Sequence, residues 1–343
     1  MNTLVTGANG FLGLYLVEQL RARGETVRAL VRQPCAELTA LGVDVVLGDL
    51  RDAEVVAEAC RGTDVVYHVA GVAGIWGDWE HFYGINTRGT EHVIAGCRRH
   101  GVGRLVYTSS PSVTFDGSDQ SGVDESVPYP TRWLCHYSHT KALAEQQVLA
   151  ANDGAGGLRT CALRPHLIWG PRDRQLIPRL IERARGGRLR RVGDGRNRVD
   201  TIYVENAATA HWQAAEALGR ADSPVAGRAY FLSQGEPVRC WDWINEILEL
   251  AGEAPVRRGI SFRAAWVVGA ALERLYGWLG RREEPRMTRF LAAQLAKDHF
   301  FDISAAERDF GYAASISTTE GLRRLSACQG WGKRVVSDRK NLS

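Results

Sequence analysis

The chain has 343 residues, about twice the commonest domain size, so one large domain or two coupled domains are expected. Its 45% hydrophobic and 24% charged residues are typical of globular proteins and exclude disordered, fibrous and disulfide-dense chains. Lys and Arg number 43 against 39 Asp and Glu, a net charge of +4 that is too mild for a protein whose partner is nucleic acid.

The seven cysteines are scattered and form no CxxC pair, which predicts reduced thiols rather than disulfides or a zinc site. Gly7, Asn9 and Gly10 interrupt the first apolar residues, so the N-terminus does not resemble a signal peptide. The uncharged apolar stretch 264–272 is much shorter than the roughly 20 residues of a spanning helix. We therefore expect a cytoplasmic protein without a transmembrane segment.

Short β-branched apolar runs alternate with amphipathic helical patterns in the first half of the chain. Near-continuous apolar strands separated by helices indicate a parallel sheet with helices on both faces. The predicted fold class is α/β, a doubly wound parallel sheet of the Rossmann type with a smaller, mostly helical C-terminal substrate lobe. The predicted strands of this half are 3–5, 26–31, 44–47, 64–69, 105–108 and 160–163.

The pattern changes after residue 165. A loop rich in Gly, Pro and Asp leads to a predicted helix near 176–184, an Arg-rich stretch, strands over 198–204 and 229–233, and a mostly helical tail from 241 to about 325. We predict three units: a dinucleotide-binding domain, a substrate-binding lobe covering the carboxyl edge of the sheet, and a polar tail. They comprise 1–165 with 198–233, 166–197 with 234–328, and 329–343.

The sequence TGANGFLG follows the first predicted strand and opens an amphipathic helix over 14–23. Glycines in such a turn allow backbone N–H groups to approach a pyrophosphate at the helix N-terminus. A glycine-rich loop is weak evidence by itself, but here strand, loop and helix occur in the required order. The residues predicted to hold a dinucleotide are Gly7, Asn9, Gly10, Phe11, Leu12 and Gly13.

The end of the second strand indicates which dinucleotide is bound. No carboxylate stands there to bind the adenosine ribose, and Arg32 follows the strand, which favours NADP(H) over NAD(H). The alternative for Arg32 is a solvated surface charge. Asp49, in the turn Gly48-Asp49-Leu50, is predicted to accept from the adenine amino group, with a helix N-cap as the alternative. We place Leu50 in the same site.

Hydroxyl groups and a Tyr-x-x-x-Lys pair supply candidate chemistry. Ser109 and Ser110 follow the strand at 105–108, at the edge where open α/β sheets bind ligands. Tyr137 and Lys141 lie one helical turn apart. A phenol is a poor acid or base at neutral pH until a neighbouring ammonium favours its ionised form.

In this order TGANGFLG, GDL, HVAG, YTSS, YxxxK and LRPHLIWGP make the chain resemble the extended short-chain dehydrogenase/reductase superfamily over residues 1–325. The resemblance implies that Tyr137 is the proton donor, and that Lys141 lowers its pKa and holds the nicotinamide ribose. It also implies that Ser110 hydrogen-bonds the substrate oxygen, with Ser109 as the rival. Pro165, within LRPHLIWGP, is assigned to the cofactor site.

Other candidates are assigned more generally. Trp76 and Trp79 are predicted to line an apolar substrate pocket, with core packing as the alternative, and His166 is placed in the same lining. Asn86 is expected to bond backbone near the strand edge. No metal is expected, because His136 and His139 have no third ligand nearby. The eight arginines within 179–198 are interpreted as a solvated face rather than an anion site, and 261–280 as a lobe-packing helix, with membrane contact as its alternative.

The residues also bear on the reaction. The stretch after YTSS lacks the Asp-Glu pair of the dehydratases, and the acidic residue by which epimerases usually retain NAD is missing. Longer segments, including YTSSPSV, VDTIYVENAATAH and MTRFLAAQLAKDHFFDISAAERDFGY, resemble the 3β-hydroxysteroid dehydrogenase family and, within it, a bacterial subgroup of 2-alkyl-3-oxoalkanoate reductases. The resemblance implies NADP-dependent reduction of a β-keto acid with two long alkyl chains.

Alternatives remain open. They are a 3β-hydroxysteroid dehydrogenase or another ketone/alcohol oxidoreductase and, less favoured, a sugar-nucleotide epimerase or a non-catalytic NADP sensor. The expected partner is a hydrophobic small molecule and not nucleic acid. A peripheral membrane contact, a homodimer and a complex with enzymes of the same pathway are left open.

Overall fold

The computed structural model of the protein describes residues 1–154 and 156–331. Most strands of the first half begin and end within one or two residues of the sequence-based ranges. The strands are β1 (Asn2–Thr6), β2 (Thr26–Val31), β3 (Asp44–Leu47), β4 (Val65–His68), β5 (Arg104–Thr108), β6 (Gln120–Val123), β7 (Arg159–Pro165), β8 (Ile168–Trp169), β9 (Arg191–Val192), β10 (Arg198–Val199), β11 (Ile202–Tyr203), β12 (Arg228–Leu232), β13 (Val238–Arg239), β14 (Gly259–Ile260) and β15 (His299–Phe301).

The helices pack on both faces of the main sheet and build the C-terminal part of the molecule. A π-helical segment covers Tyr83–Arg88, and a short 3₁₀ turn covers Pro111–Thr114. The α-helices are α1 (Phe11–Ala22), α2 (Ala36–Ala40), α3 (Ala53–Cys60), α4 (Trp79–Phe82), α5 (Gly89–Arg99), α6 (His136–Ala150), α7 (Leu176–Arg185), α8 (Val204–Leu218), α9 (Cys240–Leu250), α10 (Phe262–Trp278), α11 (Arg289–Gln294), α12 (Ser304–Phe310) and α13 (Thr318–Gln329).

Seven parallel strands form the main sheet, in the order β12-β7-β5-β4-β1-β2-β3. The predicted doubly wound Rossmann sheet is confirmed. The strand order reverses between β1 and β4, so the carboxyl ends of these strands border the crevice where open α/β sheets bind ligands. One face is covered by α1, α8 and α12, and the other by α3, α5 and α6.

A second apolar core lies in the C-terminal lobe. Trp169, Ile177 and Ile181, from the insertion after β7, pack with Trp243 and Ile244 of α9. The insertion and the C-terminal helices therefore share one core. The proposed domain boundaries remain a prediction.

The strand predicted over 198–204 is wrong. Arg198–Val199 pairs with β13 and β15, whereas Ile202–Tyr203 pairs with β8, and α8 begins at Val204. The break falls at Asp200, whose buried carboxylate accepts from the backbone N–H of Phe301 at 2.9 Å. This bond holds Asp200 against β15. The chain leaves the sheet of β10, β13 and β15 at this residue and then pairs with β8 through β11.

Three further expectations concern the C-terminal tail, the cysteine thiols and a membrane-spanning helix. The predicted polar tail begins at Gln329, where α13 ends, and Trp331 is buried in the lobe core, while 332–343 lie outside the described residues. All seven cysteines are free. Within the described ranges, no helix combines the length and the apolar content needed to cross a bilayer.

Candidate active site

The glycine-rich turn between β1 and α1 has the shape that a dinucleotide requires. Gly7 adopts a φ of +68°, and a Cβ on it would lie 2.8 Å from the Cα of Ala70. A Cβ on Gly13 would lie 2.2 Å from the carbonyl oxygen of Gly7. Side chains at these positions would therefore push the turn away from β4 and α1. The groove above the turn has a volume of about 350 Å³, and its lining includes the residues predicted for the cofactor: Gly7, Asn9, Gly10, Phe11, Leu12, Gly13, Arg32, Asp49 and Leu50.

Arg32 and Asp49 lie at the far end of this groove. Arg32 is exposed just after β2. Asp49 forms a two-pronged ion pair with Arg51, with N···O distances of 2.9 and 2.8 Å, and this hydrogen bonding lowers its pKa to about 2. The N-cap of α3 is Asp52, whose side chain accepts from Glu54 and Val55 N–H groups, so the N-cap alternative for Asp49 is wrong.

Ser110, Tyr137 and Lys141 line one cleft of about 560 Å³ at the carboxyl end of the sheet. Strand β5 brings the serine, and the first turn and a half of α6 brings the other two. Pro165, at the end of β7, lines the same cleft. The cleft and the dinucleotide groove share wall residues, including Gly10 and Thr108. The predicted catalytic and cofactor residues are thus parts of one continuous site.

The electrostatics of Tyr137 differ from the sequence-based expectation. Burial raises the pKa of Tyr137, and a hydrogen bond with the Ser110 hydroxyl opposes this rise. The lowering expected from Lys141 is not seen, because its ammonium donates to the carbonyl oxygen of Thr108 at 2.5 Å and lies 4.1 Å from the ring centre of Tyr107. Tyr137 is therefore a protonated phenol, the form that can donate a proton.

Lys141 is itself strongly perturbed. Burial lowers its pKa to about 7, and the negative charge of Glu145, one turn further along α6, opposes this change. An ammonium removed from water is costly, so this position favours an amine that readily changes its charge near neutral pH. Perturbed titratable groups of this kind are characteristic of catalytic clefts.

The two serines have different environments. The Ser110 hydroxyl accepts from the backbone N–H of Ser112 at 3.2 Å and remains close enough to Tyr137 to hydrogen-bond it. The Ser109 hydroxyl is buried without a partner in the described structure. The contact with Tyr137 favours Ser110 as the residue that meets the substrate oxygen.

Asn86 secures the loop that follows β4. Its side-chain oxygen accepts from the Val72 N–H at 2.8 Å, and its amide donates to the Val72 carbonyl and to the Thr140 hydroxyl. The expected backbone role is confirmed. Because Gly71 and Val72 line the catalytic cleft, Asn86 is a positioning residue that ties this wall to α6.

Sequence reasoning missed two parts of the site. Glu145 and Arg164 form a buried ion pair between α6 and β7. The two residues are 19 positions apart in the chain, and nothing in the sequence indicates that they meet. The loop before α7 and the start of that helix also line the cleft, through Gln175 and Leu176 respectively. Within that loop, Arg172 adopts a φ of +67°, an uncommon conformation for a residue with a side chain.

The predicted substrate residues do not lie together. Trp76 and Trp79 line a separate cleft of about 730 Å³ beside α10, where the Trp76 N–H donates to the carbonyl oxygen of Arg281 at 3.0 Å. His166 is buried, and its Nε2 lies 2.6 Å from Nδ1 of His299. Of these two histidines, His299 lines an apolar cavity next to the catalytic cleft.

The arginines and histidines that the sequence singled out elsewhere contact other side chains. Arg179 and Arg183 of α7 form ion pairs with Glu284, and Arg185 pairs with Glu253, which supports the surface interpretation of the arginine run. His139 stacks on Trp133 with ring centres 4.1 Å apart. In the described part of the chain, no three His, Cys, Asp or Glu side chains come together as a metal site requires.

Comparison with known proteins decides the family. Residues 4–259 match the model of the 3-beta hydroxysteroid dehydrogenase/isomerase family. The chain belongs to this family. Among relatives of this family member, the 2-alkyl-3-oxoalkanoate reductase of Stenotrophomonas maltophilia is 50% identical over 95% of this chain and 99% of its own. The enzyme of that name from Shewanella oneidensis is 48% identical over 95% and 86% of the two chains.

A more distant relative and two solved structures agree with this family and fold. The human sterol-4-alpha-carboxylate 3-dehydrogenase, decarboxylating, is 36% identical over 93% of this chain and 86% of its own. The crystal structure of gox2253 has a TM-score of 0.76 at 27% identity, with 97% of this chain and 98% of that chain covered. MoeE5 in complex with UDP-glucose and NAD, at 24% identity and a TM-score of 0.73 over 98% and 100% of the chains, shows the fold alone. This family member is an oxidoreductase with the fold of dinucleotide-binding enzymes.

Proposed function

We propose that the protein is an NADP-dependent reductase that converts a hydrophobic β-keto acid, a 2-alkyl-3-oxoalkanoate, into the 2-alkyl-3-hydroxyalkanoate. The observation that carries this proposal is an apolar cavity of about 280 Å³ next to the catalytic cleft. Both spaces are bordered by Leu167, Gln175 and Leu176, so a substrate held at Tyr137 can extend into the cavity.

The walls of this cavity suit an alkyl chain. Helix α7 contributes leucines, α9 contributes Trp243 and Ile244, and α11 contributes Leu291. The polar residues Arg179, Arg183 and Glu284 also border it, but they are bound to one another in ion pairs. Each methylene group buried there would contribute about 0.8 kcal/mol to binding. A long chain would therefore gain affinity that a sugar nucleotide would not.

The names of the relatives support a substrate that carries a carboxylic acid group. In a 2-alkyl-3-oxoalkanoate and in a sterol-4-alpha-carboxylate oxidised at position 3, the reacting carbon is next to the carbon that bears the carboxylate. The substrates in both names are thus carboxylic acids with an oxygen function on the β-carbon. The relatives at about half identity favour the open-chain substrate, and the sterol relatives supply the second candidate, a fused-ring alcohol or ketone.

The residues of the cleft perform the proton chemistry. Ser110 and Tyr137 bind the ketone oxygen, and Tyr137 donates its phenolic proton as the carbonyl carbon is reduced. A bound dinucleotide supplies the hydride. The phenolate left on Tyr137 takes up a proton from solvent, and the nearby Lys141, when protonated, would stabilise that phenolate until it is reprotonated. The ketone oxygen ends as a hydroxyl group.

The groove fits the dinucleotide, and its charge favours NADP(H). Gly7 and Gly13 leave no space for a Cβ, and the turn between them presents backbone N–H groups at the start of α1. Arg32 borders the same groove, and an arginine there suits the 2′-phosphate of NADP(H). Lys141 and Pro165 would hold the nicotinamide half.

The test is a substrate series. We expect kcat/KM with NADPH to rise steeply with the alkyl length of 2-alkyl-3-oxoacids until the cavity is full, and to exceed the value for a 3-ketosteroid. A flat dependence on chain length with strong steroid turnover would transfer the assignment to the hydroxysteroid alternative. Turnover of a nucleotide sugar alone would reject both.

A cavity variant sharpens this test. Leu180→Trp, in the cavity wall, should move the preferred chain length several carbons shorter. The matched control is Leu250→Trp, in a groove on α9 remote from the cleft. If both variants keep the wild-type preference, the alkyl chain does not occupy this cavity.

A further inference from the structure

Helix α10 exposes an apolar face. Large apolar side chains at the surface are concentrated on this helix, with Trp278 83% and Val267 66% exposed. Val268, Leu275 and Leu279 are also about half exposed. Because an α-helix turns by about 100° per residue, these five positions fall within an arc of about 120° and share one face of the helix. Scattered apolar residues are normal on a protein surface, but a continuous helical stripe marks a contact site.

The opposite side of α10 holds the helix on the protein. Ala265 and Gly269 are buried there, and a Cβ on Gly269 would lie 2.6 Å from the backbone of Thr288. Glu273 also lies on the inner side, where it pairs with Arg289 at 2.7 Å. The helix is therefore fixed by its inner side, and the outer apolar face is available.

Basic side chains border this face. Arg263 and Arg274 lie along one edge of the helix, where the 3.6-residue period places them next to Val267 and Trp278. The loop after the helix adds the exposed Arg281, Arg282 and Arg286, against one exposed carboxylate, Glu283. Arg282 pairs with Asp78 at 3.5 Å in a largely exposed position. The border thus carries an excess of positive charge.

We propose that α10 and the loop after it bind the surface of an anionic lipid bilayer, with the apolar face lying among the upper acyl chains. An apolar helical face with arginines at its edge and a tryptophan at one end is the pattern of interfacial helices. Charge complementarity decides the occupant, because the arginines suit phosphate headgroups. A second copy of this chain would bring like charges together across a twofold axis.

The position of the helix agrees with access from a membrane. The cleft of about 730 Å³ beside α10 is lined by Ala270 and Tyr276 on the helix and by His136 and His139 on α6. Tyr137 follows His136 directly. A ligand that leaves the bilayer next to α10 would therefore enter the protein at the start of the helix that carries Tyr137. The binding of lipid itself does not depend on the proposed reaction.

The test is co-sedimentation of the protein with lipid vesicles. Vesicles of phosphatidylcholine with about 30 mol% phosphatidylglycerol should bind the wild type, and vesicles of phosphatidylcholine alone should bind it much more weakly. Combined substitutions Val267→Ser, Val268→Ser, Leu275→Ser and Trp278→Ser should weaken binding at least about a hundredfold, because they remove the apolar face. None of these four side chains lines the clefts described above.

Controls separate this surface from general effects. Leu47→Ser removes an exposed apolar side chain at the edge of the main sheet, and Arg61→Gln with Arg99→Gln removes two exposed charges elsewhere. Both should bind as the wild type does, whereas Arg263→Gln with Arg282→Gln should bind anionic vesicles about tenfold or more weakly. Circular dichroism confirms that each variant is folded.

The outcomes are distinct. Failure of the wild type to bind anionic vesicles overturns the proposal, as does equal binding by the wild type and the fourfold serine variant. If sedimentation instead shows a wild-type oligomer that the serine variant dissociates, a second copy covers the face and the lipid proposal is wrong. Turnover of water-soluble short-chain substrates is measured in parallel, so that loss of the reductase activity is recognised separately.

Discussion

Glu145 and Arg164 form an ion pair that is almost completely shielded from solvent, with an N···O distance of 2.6 Å. The Tyr129 hydroxyl donates to the same carboxylate at 2.5 Å, and the guanidinium lies over the ring of Phe231. Glu145 is one turn beyond Lys141 on α6, and Arg164 precedes Pro165 at the end of β7. The pair therefore joins the catalytic helix to the sheet edge that lines the cleft.

The first prediction concerns this pair. Glu145→Gln should lower the free energy of unfolding by about 3–5 kcal/mol, because it leaves a buried guanidinium without its counter-charge. The double variant Glu145→Gln with Arg164→Met should recover most of that loss. The control Glu58→Gln breaks an exposed pair with Arg61 and should cost about 1 kcal/mol or less. Urea unfolding measures all of these, and a double variant no better than Glu145→Gln would contradict the prediction.

The second prediction concerns Tyr137. Tyr137→Phe should reduce kcat by about 10²–10⁴-fold and leave dinucleotide binding nearly intact, because the phenolic proton is needed only as the ketone oxygen gains charge. Lys141→Ala should impair both. The control is Tyr107→Phe, which removes a buried hydroxyl without a partner in the described structure and keeps the ring beside Lys141. A Tyr137→Phe protein with more than about a tenth of the wild-type kcat would rule out the assigned role.

The parts of the site that the sequence could predict are local. The glycine turn and the Tyr-x-x-x-Lys pair are each defined within eight residues, so their geometry follows from one turn or one helix. The ion pair of Glu145 with Arg164 arises only when α6 packs on β7. The break at Asp200 depends on a bond to Phe301, about a hundred residues later. These features depend on contacts between distant segments, and the hydrophobic periodicity of one segment gives no information about such contacts.

The same limit applies to the direction of a pKa. The spacing of Tyr137 and Lys141 correctly places both in one cleft, but it does not show where the ammonium points. Only the packed structure shows that Lys141 is bound to the Thr108 carbonyl and that burial dominates at both groups.

The third prediction follows from the burial of Lys141, which lowers its pKa to about 7. In the unfolded chain a lysine titrates near about pH 10.4, so between these values the unfolded state binds more protons than the folded state. Stability should therefore fall as the pH is lowered from about 10 to about 7, and this contribution should be constant below about pH 7. Lys141→Met should be more stable than the wild type at pH 7, and the difference should vanish towards pH 10. A difference that stays equal across this range would contradict the lowered pKa.

The last prediction concerns the choice of dinucleotide and tests the role proposed for Arg32. A charge-assisted contact with a 2′-phosphate should contribute about 1.5–3 kcal/mol. Arg32→Ala should therefore raise KM for NADPH roughly tenfold or more and leave KM for NADH nearly unchanged. Arg61→Ala, at an exposed arginine beyond α3, is the control and should change neither constant. Asp49 at the same end of the groove is already paired with Arg51, so that ion pair would not replace the charge lost with Arg32. Equal losses for both dinucleotides would instead place Arg32 in a structural role.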